Sequence, residues 1–185
     1  MIEVDAPKLK EVERRLGFMR AQARPVLARA INRAAENAKT NMSRRAREEY
    51  LIKDSDIKKT VSLRKADQVS LAAVVKSKGS KIGLINFKVS PNKPRHSNPP
   101  KEFRARVKKS SALKGIPGAF VANINGPKLM RRVGKSRLPI KQLFGPSVPE
   151  MIGSPSVITY IEKEALLTLE KRIDHEIKRV LEAKA

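Results

Sequence analysis

The sequence predicts an α+β fold, with long helices from both ends of the chain packed beside a mostly antiparallel β-sheet. Three observations point to it. Apolar residues recur at three- and four-residue spacing before residue 50 and again after residue 155. Between about residues 60 and 145 that spacing gives way to alternation, interrupted by Gly, Pro and Asn turns. The chain has 185 residues, 40% of them hydrophobic, which suits one domain with a real core. The expected organisation of residues 1–185 is therefore helical over 1–50, sheet over 60–145 with a basic loop at 88–114, and helical over 155–183.

Leu9, Val12, Leu16 and Met19 lie on one face of a first helix, whose start tolerates Pro7. Gly17 weakens that helix. Pro25 removes a donor and disfavours helix at Arg24, so a break is predicted between Gly17 and Pro25. A longer helix follows to about Glu49, with Leu27, Ile31, Ala34, Ala35, Ala38 and Met42 as its stripe. Its small residues permit close helix approach. Arg24, Arg29, Arg33, Lys39, Arg44 and Arg47 cover much of the remainder, as a solvated face or a phosphate-binding one.

Asp54 is placed to cap a short helix carrying Ile57. Val69, Leu71, Ala73 and Val75 alternate with other residues, Lys78-Gly79-Ser80 turns, and Ile82, Leu84, Phe87 and Val89 follow; the pattern predicts a β-hairpin. Residues 90–101 contain four prolines and read as loop. Phe103, Ala105 and Val107 alternate with Arg104, Arg106 and Lys108, as in a half-buried strand with a basic outer face. Phe120-Val121-Ala122 and Leu129-Met130 flank Asn125-Gly126, a favoured hairpin turn pair. The last helix starts near Pro155, with Ile158, Ile161, Ala165, Leu169, Ile173, Ile177 and Val180 as its stripe.

Charge is the loudest bulk feature. The formal net charge is +23, and residues 51–149 hold 23 Lys/Arg against 4 Asp/Glu. Residues 150–185 are close to neutral, with 6 against 7. A surplus concentrated in one region implies a polyanionic partner, an acidic protein face, or a surface that only aids solubility. Within the dense segment 88–114, Lys93, Arg95, Arg104, Arg106, Lys108 and Lys109 are the candidate polyanion contacts. Its aromatics, Phe87 at the edge and Phe103, fit core positions, and no zinc finger or RNA-recognition signature is present. Any nucleic-acid contact would be made to the backbone and not to bases.

Catalytic, metal and cofactor patterns fail on their spacing. Gly134-Lys135-Ser136 ends like a phosphate-binding P-loop, but Leu129 occupies the position of the first glycine. The two histidines, His96 and His175, have no second ligand at a metal spacing. There is no cysteine and no G-x-S-x-G nucleophile elbow. No catalytic residue, metal or cofactor is assigned, and no enzyme is expected. No apolar run is long enough for a membrane span, and the N-terminus lacks a signal-peptide core. The expectation is a soluble protein with no membrane partner.

The least generic stretch is Arg137-Leu138-Pro139-Ile140-Lys141-Gln142-Leu143-Phe144-Gly145-Pro146-Ser147-Val148-Pro149-Glu150-Met151. Its prolines forbid a long helix, Gly145-Pro146 marks a turn, and Ser147 can cap a helix with Glu150 in its first turn. The apolar residues suit either a strand-to-helix junction packed within the chain or an ordered arm docking on another subunit. Leu138, Pro139, Ile140, Leu143, Phe144, Gly145, Pro146, Val148, Pro149 and Met151 are the candidate interface set.

This segment resembles the LPI-x-x-LFGPSVP signature of the prophage minor tail protein Z family, the tail-completion proteins of long-tailed bacteriophages. Ala119-Phe120-Val121-Ala122, Asn125-Gly126 and Met130-Arg131-Arg132-Val133-Gly134 extend the likeness, although Met130 stands where the family tends to have an aromatic residue. The resemblance implies a structural virion protein of the tail or neck. Such a protein completes the head-proximal end of the tail and helps join tail to head, with other tail and neck proteins as partners. Related neck components form rings, commonly hexamers. The location implied is the virion, after assembly in the host cytoplasm, with packaged DNA passing nearby. The alternative from composition alone is a basic nucleic-acid-binding protein without sequence preference.

Overall fold

The computed structural model describes residues 2–5, 8–92, 100 and 102–183. In chain order the strands and α-helices are β1 (Ile2–Asp5), α1 (Leu9–Leu16), α2 (Ala23–Glu49), α3 (Asp54–Lys58), β2 (Val61–Arg64), β3 (Ala72–Ser77), β4 (Lys81–Gly83), β5 (Lys88–Ser90), β6 (Phe103–Arg106), β7 (Lys114–Ile116), β8 (Ala119–Asn123), β9 (Pro127–Arg132), β10 (Ile140–Gln142), β11 (Phe144–Ser147), α4 (Val148–Ile152) and α5 (Pro155–Glu182). The architecture is α+β, with antiparallel sheets and long helices near both ends. The chain divides into two compact units. One comprises Met1–Arg45, Thr60–Lys78 and Ile152–Ala185; the other comprises Ala46–Lys59 and Gly79–Met151.

The first unit is built on α2 and α5. The stripe of α2 is buried throughout: Leu27, Ile31, Ala34, Ala35, Ala38 and Met42, joined by Val26 and Ala30. On α5, Ile161, Ala165, Leu169, Ile173 and Ile177 of the expected stripe are buried, whereas Ile158 and Val180 at its ends are half-buried and Val157 is buried in place of Ile158. Between α1 and α2 the backbone leaves α geometry, as Gly17 and Pro25 predict. Gly17 has a φ of 56°, which a side chain would strain, and residues Gly17–Gln22 form a 3-10 turn. The sheet order is β1-β3-β2, antiparallel throughout. Polar ties fix the register of the parts. Asn32 Nδ2 donates to the Ala66 carbonyl at 2.9 Å while its Oδ1 accepts from the Ala66 N–H at 2.7 Å. The buried carboxylate of Glu176 takes Arg29 at 2.5 Å and Arg179 at 2.8 Å.

The second unit is made of short strands in three small sheets, ordered β10-β9-β8, β5-β6-β7 and β11-β4. One core gathers Val89, Phe103, Ala105, Val121 and Leu129; a smaller one gathers Tyr50, Phe87 and Met151. Backbone bonds from Leu51 N–H to the Val107 carbonyl (2.9 Å) and from Lys109 N–H to the Glu49 carbonyl (2.8 Å) pin the segment after α2 to the end of β6. The β8–β9 hairpin turns at Asn125 and Gly126, both at positive φ (52° and 99°), which accounts for that residue pair.

Three local expectations are corrected. Gly145-Pro146 is not a turn; both residues lie within β11, whose pairing with β4 shifts register between Phe144 and Ser147. β3 and β4 do not form a hairpin. Both edges of β3 are already taken, by β1 and β2, so β4 pairs with β11 instead. Asp54 is the first residue of α3 and not its cap, which is Lys53. Its carboxylate instead takes Lys58 at 2.6 Å, one turn along.

Candidate functional site

The segment from Leu138 to Met151 runs through β10, β11 and α4, and it is tied to the second unit at successive residues. β10 pairs with β9. The Leu143 N–H donates to the Leu129 carbonyl at 2.8 Å, and the Leu143 carbonyl accepts from Leu84 N–H at 2.9 Å. The Leu143 side chain packs on the larger core. Gly145 lies under the Phe87 ring so closely that a Cβ there would stand 2.6 Å from a ring carbon. At the head of α4, the Ser147 N–H donates to Glu150 Oε2 at 2.6 Å and the Glu150 N–H donates to Ser147 Oγ at 3.3 Å. This reciprocal pair is a capping box, and these backbone and hydroxyl hydrogen bonds hold the Glu150 carboxyl below its ordinary pKa. Val148 and Met151 close the segment from within, both buried.

The candidate interface set therefore divides. Leu143, Gly145, Val148 and Met151 are committed inward, and Ile140, Pro146 and Pro149 are half-buried. Leu138, Pro139 and Phe144 face solvent; Leu138 is 66% and Phe144 52% exposed. Rigidly anchored apolar side chains that point outward are what a docking surface needs.

Of the candidate polyanion contacts, Lys93 and Arg95 lie outside the described residues. Arg104 is exposed and pairs with Glu102 at 3.5 Å. Arg106 is half-buried, with its Nε enclosed and lacking a hydrogen-bond partner. The Lys108 ammonium lies 5.5 Å from the centre of the Tyr50 ring, a cation–π contact. Lys109 lines an open recess with Arg47, Lys53 and Lys88. Arg104 and Lys108 thus already have partners within the unit.

The structure brings forward a second group of cations that the sequence reading passed over. Arg131, Arg132, Lys135, Arg137 and Lys141 lie on β9, on β10 and in the connection between them, and all are exposed. Arg131 and Lys141 stand directly opposite each other across the strand pair. The signal was present in the sequence: from Phe103 to Pro149 there is no Asp or Glu.

Two further carboxylates in the first unit have lowered pKa values for local reasons. The backbone N–H groups of Ser70 and Val69 hold down Asp67, which caps the loop before β3. The Lys65 ammonium does so for Glu36, with Arg33 adding to it. Both arrangements are structural. Among the described residues, no three His, Cys, Asp or Glu side chains gather as a metal site would require, and no helix is long and apolar enough to cross a membrane.

Compared with known proteins, the family model described as prophage minor tail protein Z (GPZ) matches residues 9–184, nearly the whole chain. No curated protein and no solved structure matches the chain significantly.

Proposed function

Because the chain belongs to the prophage minor tail protein Z family and so has a structural role in a phage tail, we propose that it completes the head-proximal end of the tail and helps join tail to head. It works by surface complementarity, without turnover, as a ring of copies with six subunits favoured. Its partners are other tail and neck proteins. It acts in the virion after assembly in the host cytoplasm. The observation that carries this reading is the outward pair Leu138 and Phe144 on a segment otherwise locked into its unit. Electron microscopy of the purified protein tests it. Rings are expected, and Phe144→Ala should lose rings or tail joining while remaining folded. A wild-type protein that stays monomeric and is missing from virions would refute the proposal.

The charge supports a second reading, a backbone contact with phage DNA that can coexist with the first. The 16 Lys/Arg of residues 79–151 face only 2 acids. On this reading the strip comprising Lys93, Arg95, Arg104, Arg106, Lys108 and Lys109 meets phosphates through weak, diffuse pairs that leave the duplex free to pass. Neutralising it should weaken duplex binding at low salt while rings persist.

A further inference from the structure

We infer that the β9–β10 hairpin is the principal contact of this protein with the phosphodiester backbone of duplex DNA. The inference rests on the polyanion reading above but places the contact on different residues. Like charges directly opposite on paired strands destabilise a sheet. Arg131 and Lys141 occupy such positions, and Lys88 and Arg106 repeat the arrangement between β5 and β6. The span from Phe103 to Pro149, which holds Arg131 and Lys141, contains no Asp or Glu. Glu102 and Glu150, the acids at the borders, are engaged with Arg104 and with the head of α4. Among the described residues, Arg131, Lys135, Arg137 and Lys141 form no ion pair. An uncompensated pair of this kind weakens the fold, and a counter-charge from outside removes the penalty.

The hairpin is also shaped for the task. The Val133 N–H donates to the Pro139 carbonyl at 3.0 Å, so the ribbon stays closed to its tip, Gly134–Leu138. β8 backs the strand β9 along its other edge. Arg131, Lys135, Arg137 and Lys141 are therefore held out at the edge and tip of a three-stranded sheet, whereas Arg132 lies over the Phe120 ring, and Arg104 and Lys108 are drawn to partners within their own unit. A protein face carries both signs, and a cognate surface normally answers it with both. A ribbon of one sign is answered best by a polymer of one sign, and duplex DNA presents about one charge per 1.7 Å of axis.

The test is binding of the full chain to a random-sequence duplex across a salt series, with three charge-matched variants. The hairpin variant carries Arg131→Gln, Arg137→Gln and Lys141→Gln. The strip variant carries Arg104→Gln, Lys108→Gln and Lys109→Gln. The control carries Arg33→Gln, Lys58→Gln and Lys178→Gln, three exposed cations that already pair with Glu36, Asp54 and Glu182. In the hairpin variant the slope of log K against log salt should fall by about 2 to 3, with at least roughly a tenfold loss of affinity at low salt. The control should stay close to wild type. Arg131→Gln alone should raise the Tm at low salt by about 1–3 °C, and the gain should fade as salt screens the repulsion. Equal losses in hairpin and control variants would reduce the effect to bulk charge and overturn the proposal. A loss confined to the strip variant would overturn it while leaving the polyanion reading standing. A wild type that ignores duplex DNA at low salt would end both. Unchanged DNA binding by a hairpin variant that no longer enters virions would assign the ribbon to an acidic protein partner.

Discussion

The two compact units treat charge in opposite ways. The helical unit holds 21 Lys/Arg and 12 Asp/Glu; the strand-rich unit holds 20 and 6. In the first, acids on α5 meet cations at the head of α1, on α1 and on α2: Glu170 with Lys8, Asp174 with Arg15, and Glu176 with Arg29. The first two pairs are exposed and contribute about 0–1 kcal/mol each, so they orient the helices more than they hold them. In the second, residues 79–151 have Glu102 and Glu150 as their acids, and both serve local structure. The packing differs in the same sense. α2 and α5 bury continuous apolar stripes, while the strand-rich unit has two small cores; both units also expose large apolar side chains, Phe18, Val69 and Leu166 in the first and Val133, Leu138 and Phe144 in the second. The comparison teaches a difference of degree. One unit buries long apolar stripes and answers part of its charge with its own acids; the other has smaller cores and, over residues 79–151, almost no acids.

The largest effect should come from breaking the helical unit. Ile173 is buried on α5, and Ile173→Asp places a carboxylate among apolar side chains. The protein should not reach a folded state, and thermal scans should show no cooperative transition. The milder Leu27→Ala, at a fully buried position on α2, should cost about 2–5 kcal/mol. The chain crosses between the units four times, so neither is a continuous segment. We therefore expect Leu27→Ala to lower a single midpoint for the whole chain. Two separated transitions would show that the units fold independently and would sharpen the division just drawn.

Next in size is a contrast within one short stretch of the strand-rich unit. Gly145→Ala drives a methyl group into the Phe87 ring and should destabilise by about 1–3 kcal/mol. Its neighbour Phe144 is half in solvent, so Phe144→Ala should shift stability by only about 0.5 kcal/mol. Ring formation or tail joining should respond in the reverse order, and calorimetry beside electron microscopy checks both. Equal stability losses would mean that Phe144 belongs to the core, and the outward docking role would go.

How much of this was legible follows from the range of the rules. The stripes of α2 and α5 obey a local period, and each could be read before any neighbour was known. The Asn125-Gly126 turn was legible because both residues must adopt positive φ. Ser147 was legible as a helix cap with Glu150 in the first turn, although their reciprocal capping box emerged only from the structure. Strand partnership was not legible. The alternation around Ala73 and Val75 marked a strand but could not say that β1 and β2 would take both its edges. Nor could the sequence show that Gly145 answers to Phe87, far away in the chain. The basic hairpin was missed because density of Lys and Arg drew the reading to 88–114. What separates the two groups is the contacts that the strip's Arg104 makes with Glu102 and Lys108 with Tyr50, and the latter contact spans residues far apart in the chain.

The smallest effect tests whether the acids of the strand-rich unit are indeed spent on structure. Glu150 is held below its ordinary pKa chiefly by the Ser147 N–H, with the Ser147 hydroxyl second. A carboxylate lowered on folding contributes stability above its unfolded pKa, and that contribution disappears as pH falls through the lowered folded value. For Glu150 the window therefore lies at and below the usual glutamate range, near pH 4. Glu150→Gln keeps an acceptor but removes the charge and its titration. The variant should melt slightly below wild type at neutral pH, and the two should converge as the pH is lowered past that window. The gap should also survive moderate salt, because short hydrogen bonds and not distant charges produce it. A gap that persisted undiminished at low pH would remove the charge from the explanation. A gap erased by salt would instead tie Glu150 to the cations around it, among them Lys81, and return one acid to the charge balance of the strand-rich unit.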